Sequence, residues 1–183
     1  MFDSIIGHEK QIRFLLSLAE KDRIPHALLF SGPSGTGKRL VARAFAQRLL
    51  CESKRGCGTC RPCVNAAKGV HADLVVLEGG ETIGIDQSRE ITREVSERPF
   101  EASRRIVIID EAERMTMDAF NALLKTLEEP PEYNVIVLVT SRERDIPLTI
   151  RSRCQHVAFG PLTEEELTRF FRASGLDDDR AAR

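Results

Sequence analysis

The sequence has no surplus of either charge: 27 Lys and Arg stand against 28 Asp and Glu, leaving a net charge of −1. A protein that neutralises many phosphates by itself carries a basic excess, so any contact with nucleic acid is expected to be local or indirect. There is no long single-sign charge block and no low-complexity tract, and 42% hydrophobic with 30% charged residues argues against general disorder. No apolar window approaches the roughly 18 residues of a membrane span, and the opening MFDSIIGHEKQ has no charged leader followed by an apolar run. A cytoplasmic protein without membrane contact is expected. With 183 residues the chain has room for one full α/β domain and a fragment of a second.

Ile12, Leu15, Leu16 and Ala19 recur at helical spacing, predicting a first helix to about Lys21 that stops before Pro25. The run 27–30 reads as a buried strand, a glycine loop follows it, and 38–50 returns to helical periodicity. Further strands are predicted at 73–77, 105–109, 135–139 and 156–159. Asp86 is expected to cap a helix carrying Ile91 and Val95, and Thr116 or Asp118 to open one that Pro130-Pro131 ends. Short strands that are apolar on both faces and alternate with helices predict a five-stranded parallel sheet flanked by helices. Such a sheet binds ligands at the carboxyl ends of its strands. Gly160-Pro161 marks a boundary, giving a nucleotide-binding core over 1–160. Residues 161–183, opened by a capping box at Thr163 and Glu166, read as the start of a truncated helical domain.

Gly32, Pro33, Ser34, Gly35, Thr36, Gly37 and Lys38 fit the phosphate-loop pattern between a strand and a helix. In that setting backbone N–H groups and the helix N-terminus face phosphate oxygens, and Lys38 supplies a charge for the β- and γ-phosphates, so ATP or ADP is the expected ligand. Arg39 departs from the pattern, which has Ser or Thr there to ligate Mg²⁺; a guanidinium has no lone pair to offer. This argues against efficient metal-assisted hydrolysis by the chain itself. The bland alternative has Arg39 swing to solvent while a water takes the place of the hydroxyl.

Asp110-Glu111 closes an apolar strand, with Asp110 placed to hold Mg²⁺ through water and Glu111 to polarise an attacking water. Cys51, Cys57, Cys60 and Cys63 have the spacing of a structural zinc site in a surface module over about 51–68. An iron–sulfur cluster and free thiols are the competing readings. His8, His26, His71 and His156 are dispersed and read as structural. Arg153 taken alone reads as a surface residue.

Together these residues make the chain resemble the clamp-loader subunits of bacterial DNA polymerase III, members of the AAA+ family, over essentially its whole length. The carriers are Ile6-Gly7-His8, GPSGTGK, the four-cysteine insertion, Ile108 to Glu111, the FNALLKTLEEPP run from Phe120 to Pro131, and Ser152-Arg153-Cys154. Residues 23–33 and 85–91, together with Arg39, look like the delta-prime subunit more than the gamma/tau ATPase. The resemblance implies an AAA+ core, the start of a lid after Pro161, Thr140 as sensor with Ser141 a near alternative, and Arg153 as an arginine finger acting on a neighbour. It also implies gamma/tau and delta subunits as partners, with the sliding clamp and primer-template DNA reached through the assembled ring. The expected function is that of a stator-like delta-prime subunit. A gamma/tau motor that hydrolyses ATP is the main alternative, and a zinc-bearing interaction module the third.

Overall fold

The computed structural model describes residues 2–77, 93 and 97–173. In chain order the elements are α1 (Glu9–Glu20), β1 (Ala27–Ser31), α2 (Lys38–Leu50), α3 (Arg61–Lys68), β2 (Leu74–Leu77), β3 (Arg105–Ile109), α4 (Met117–Glu128), β4 (Asn134–Thr140), α5 (Leu148–Arg151), β5 (Gln155–Ala158) and α6 (Glu164–Ala173). The helix expected after Asp86 lies outside the described residues.

All pairings in the sheet are parallel, in the order β2-β3-β4-β1-β5. Every residue of β1, β3 and β4 is buried, which explains runs that are apolar on both faces. Leu28, Phe30, Ile106, Ile108, Val135 and Val137 face one layer, packing with Leu15 of α1 and with Val41 and Phe45 of α2. Their neighbours Ala27, Leu29, Val107, Ile109, Ile136 and Leu138 face the other, against Phe120, Leu123 and Leu127 of α4. A slip of one residue in any of these strands would exchange the two faces, so the register is firmly specified. Burial of a side chain such as Phe45 or Phe120 contributes about 2 kcal/mol.

Local chemistry sets the helix ends. The Thr116 hydroxyl caps α4 by accepting the Ala119 N–H at 3.2 Å. At α6 the expected capping box is present: the Thr163 N–H donates to Glu166 Oε2 at 2.7 Å and the Glu166 N–H to Thr163 Oγ1 at 3.3 Å. No residue of α6 is buried, and Leu167 and Phe170 are exposed. Helix α3 was not anticipated. Its signals are Pro62 in the first turn and Gly69 just beyond the end, overlooked because the stretch read as a metal-binding insertion. Among the described residues no helix is long and apolar enough to cross a membrane.

Strand order positions the site. Because β4 lies between β1 and β3, the loop after β1 and the acidic turn after β3 flank the end of β4, where Thr140 pairs in register with Ser31. Neighbouring strands lie about 4.8 Å apart, so the three segments meet over a span of about 10 Å.

Candidate functional site

The loop between β1 and α2 begins at Gly32, whose φ of 146° and close approach to Phe159, just after β5, exclude a side chain. A Cβ there would stand 2.1 Å from the Phe159 carbonyl oxygen. Gly37, at φ 93°, turns the chain into α2. Lys38 folds back over the loop, its ammonium donating to the carbonyls of Gly32 at 2.7 Å and Pro33 at 2.5 Å. Burial pushes the Lys38 pKa down, and the nearby carboxylates of Glu113 and Asp110 only partly restore it. The Thr36 hydroxyl donates to the Pro33 carbonyl at 3.0 Å. His8, itself left-handed at φ 60°, places Nε2 2.5 Å from the Thr36 carbonyl oxygen and packs edge-on against Phe159 at 4.9 Å. A histidine read as merely structural thus braces the phosphate loop from the start of the chain.

Ser34, Gly35, Gly37, Lys38 and Arg39 line a cavity of about 470 Å³ together with Asp110, Glu111, Glu113, Thr140 and Ser141. Gly32, Pro33 and Thr36 are not among the lining residues and take part in the hydrogen bonds within the loop. The volume lies within the range that small-ligand pockets occupy. Asp110 follows directly on β3, and its Oδ1 accepts the Glu111 N–H at 3.0 Å. Glu111 is held in the left-handed region at φ 49°, an uncommon conformation for a non-glycine residue that concentrates at functional sites.

Glu113 was missed from the sequence. It sits in the 3-10 turn Ala112–Arg114 and accepts at Oε1 both the N–H of Ser141, at 3.1 Å, and its hydroxyl, at 2.5 Å. Burial by itself would raise the Glu113 pKa, but the hydrogen bonds from Ser141 and Thr140 outweigh it and hold the carboxyl below its ordinary value. The Thr140 hydroxyl in turn accepts the Arg142 N–H at 3.0 Å. Two acids spaced Asp-x-x-Glu after a strand, with adjacent hydroxyl residues ending the next strand, are the sequence signal for this contact.

The magnesium that such a loop ordinarily uses does not fit these residues. Arg39 holds the position of the metal-ligating hydroxyl, and its guanidinium reaches to 3.6 Å from Asp110 Oδ2, the carboxylate expected to serve the metal. The four cysteines do fit a single ion. Cys51 closes α2, Cys60 caps α3 and Cys63 lies in its first turn, and their sulfurs with that of Cys57 all lie within 4.8 Å of one another. A tetrahedral ion with bonds of about 2.3 Å sets its sulfurs about 3.8 Å apart. The Cys51 sulfur lies 3.7 Å from Cys57 and 3.9 Å from Cys60. Burial raises the Cys51 thiol, but donation by the Ser53 hydroxyl and by the N–H groups of Cys57 and Arg55 outweighs it, bringing the pKa to about 5. N–H groups of Cys60 and Thr59 bring Cys57 to about 7, while burial pushes Cys63 up to about 12.

Arg153 lies away from the cavity, beyond α5. Its guanidinium donates to Glu128 Oε1 at 2.8 Å and to the Thr149 carbonyl at 2.9 Å, on a partly exposed face.

The chain matches the family model described as "DNA polymerase III, delta subunit" over residues 7–163. It is 37% identical over 169 residues to DNA polymerase III subunit tau of Bacillus subtilis, covering 91% of this chain and 30% of the relative. To DNA polymerase III subunit gamma of Buchnera aphidicola subsp. Schizaphis graminum it is 34% identical over 174 residues, covering 93% and 48%. The chain thus spans half or less of these curated relatives. A DNA polymerase III gamma-subunit-related protein from Thermotoga maritima superimposes with a TM-score of 0.67 at 30% identity, covering 88% of this chain and 49% of that one. The Thermotoga maritima RuvB Holliday junction branch migration motor shares the AAA+ fold, with a TM-score of 0.61 at 20% identity and coverage of 94% and 52%. The expected leaning toward delta-prime finds no support in these relatives, which carry the names tau and gamma. With a P-loop AAA+ core and a family match over most of its length, the chain belongs to the DNA polymerase III clamp-loader subunits.

Proposed function

We propose that the chain is the nucleotide-binding module of a gamma/tau-type clamp-loader subunit that binds ATP or ADP in the cavity between the phosphate loop and the acidic turn. The observation that carries this reading is the convergence of Lys38, Asp110, Glu111 and Thr140 on one cavity, from three different strand ends. Lys38 and the first turn of α2 take the phosphates. Glu111 is placed to polarise a water, and Thr140 with Ser141 to sense the γ-phosphate through their link to Glu113. Zinc held by Cys51, Cys57, Cys60 and Cys63 joins α2 to α3, a structural role because four protein ligands leave no open position.

In this reading residues 1–160 form the core and 161–183 the start of a lid. The module acts with other clamp-loader subunits, and through them on the sliding clamp and primer-template DNA. Arg153, partly exposed and away from the chain's own cavity, serves a neighbour's nucleotide. A second reading, a delta-prime-type stator with little hydrolysis of its own, is favoured by the ion pair of Arg39 with Asp110. Titration with ATP, compared between the chain and Lys38→Ala, tests the shared core of both readings. ATP turnover by the isolated full-length subunit separates them.

A further inference from the structure

The misfit between this loop and magnesium has a positive counterpart. Lys38 and Arg39 are the first two residues of α2, and the first turn of that helix holds no acidic residue. A helix N-terminus carries positive potential and favours anions, so adjacent cations there break a local rule. Sequences break such rules chiefly at functional sites, where something else offsets the cost. Two anionic groups do so here. Asp110 lies 3.6 Å from the Arg39 guanidinium, and Glu113 lines the same cavity.

We propose that Arg39 takes the place of the divalent cation, so that this loop binds a nucleoside di- or triphosphate without Mg²⁺. The inference rests on the reading of the cavity as a nucleotide site. In the ordinary phosphate loop a metal ion bridges the β- and γ-oxygens and is anchored by the loop hydroxyl and the strand-end carboxylate. Arg39 stands where the hydroxyl would be and is already directed to the same carboxylate. Its guanidinium is planar, permanently charged and offers five N–H donors in a fork, enough to serve Asp110 on one edge and a phosphate on the other. The side chain is 49% exposed and lines the cavity beside Lys38, so it can adjust to a phosphate without disturbing the core.

A second consequence is exclusion. A divalent ion brought to Asp110 would lie within a few ångströms of a fixed positive charge and would compete with it for the same carboxylate oxygens. Added magnesium therefore gains little at this site, and by pairing with free ATP in solution it lowers the concentration of the metal-free nucleotide that Arg39 binds.

The test is calorimetric titration of the zinc-loaded chain with ATP and with ADP, in Mg²⁺-free buffer without chelator and in millimolar Mg²⁺, repeated on Arg39→Thr, Arg39→Gln and Lys38→Ala. The wild-type chain is expected to bind ATP at least as tightly without Mg²⁺ as in millimolar Mg²⁺. Arg39→Thr restores the hydroxyl and is expected to lose affinity without Mg²⁺ by about tenfold or more, and to regain it with Mg²⁺. That regained binding also shows that the variant is folded. Arg39→Gln is expected to bind weakly in both buffers, with thermal unfolding in the absence of nucleotide close to that of the wild type. Wild-type binding that requires Mg²⁺ would overturn the inference and leave the nucleotide reading standing. So would Arg39→Gln binding as tightly as wild type without Mg²⁺. Absence of binding in either buffer would overturn the nucleotide reading itself, and the inference with it.

Discussion

Ser141, just past the end of β4, is joined to Glu113 of the acidic turn by two hydrogen bonds that converge on one carboxylate oxygen, at 3.1 and 2.5 Å. The contact ties the segment that follows β3 to the end of the adjacent strand, beside the cavity that both residues line. A change at one is felt at the other.

Removing that link is expected to loosen both segments. Glu113→Ala leaves the Ser141 N–H and hydroxyl without their acceptor, a loss of about 2 kcal/mol in stability. Nucleotide affinity should fall as well, because Thr140 and Ser141 lose their fixed position. Glu113→Gln retains an acceptor oxygen and is expected to keep most of the stability. Urea unfolding and nucleotide titration of the two variants check this.

Acid should unfold the protein through its buried carboxylates. Asp73 is fully buried at the start of β2, where it accepts the N–H groups of Phe100, Glu101 and Ala102 at 2.6 to 2.9 Å, with Arg105 3.8 Å away. Burial raises its pKa, but the three N–H donors and Arg105 prevail and set it below the ordinary 3.8, as the Ser141 and Thr140 bonds set Glu113 below 4.5. Each contribution is complete above the ordinary value and disappears as pH falls through the lower folded-state value. Stability is therefore expected to stay level from neutral to about pH 5 and to drop in stronger acid. Asp73→Asn should cost about 3 kcal/mol at neutral pH and flatten the acid limb, as measured by denaturant unfolding across pH.

The metal reading predicts about one zinc per chain, released slowly by chelator. Cys63→Ser, which removes a ligand buried against α2, is expected to lower the zinc content and the melting temperature. Metal analysis and thermal unfolding read the two effects. A melting temperature that chelation leaves unchanged would contradict a structural role for the ion.

Arg153 should matter to a neighbour more than to its own fold. Its pair with Glu128 is partly exposed, and such pairs contribute less than about 1 kcal/mol. Arg153→Ala is therefore expected to leave unfolding unchanged while lowering ATP turnover of the assembled clamp loader by at least about tenfold. Equal turnover in wild type and variant would remove the arginine from this role.

Much of this architecture is legible in the residues. Strands such as β3 and β4 announce themselves because burial on both faces demands unbroken apolar runs, and Lys38, Asp110 and the cysteines because their chemistry tolerates few substitutes. Thr116 and the Thr163–Glu166 box were readable from capping rules. What escaped depends on distant contacts. Glu113 became a site residue through Ser141, 28 positions later, and His8 through the Thr36 carbonyl, 28 positions away. His8 has no local period or motif to mark it, and the Asp-x-x-Glu spacing that marks Glu113 gains meaning only beside the hydroxyl residues at the end of β4. Arg39 was legible as a departure from the phosphate-loop pattern, but its partner Asp110 was not, since only the strand order brings the two together.

The proposed function requires that the cavity at the ends of β1, β3 and β4 hold a nucleotide. The most direct measurement is the affinity of the chain for ATP beside that of Lys38→Ala, with thermal unfolding of both as a check on folding. Saturable binding to the wild type, weakened by about tenfold or more in the folded variant, is the predicted result. Equal affinity in the two, or no binding to the wild type, would contradict the account.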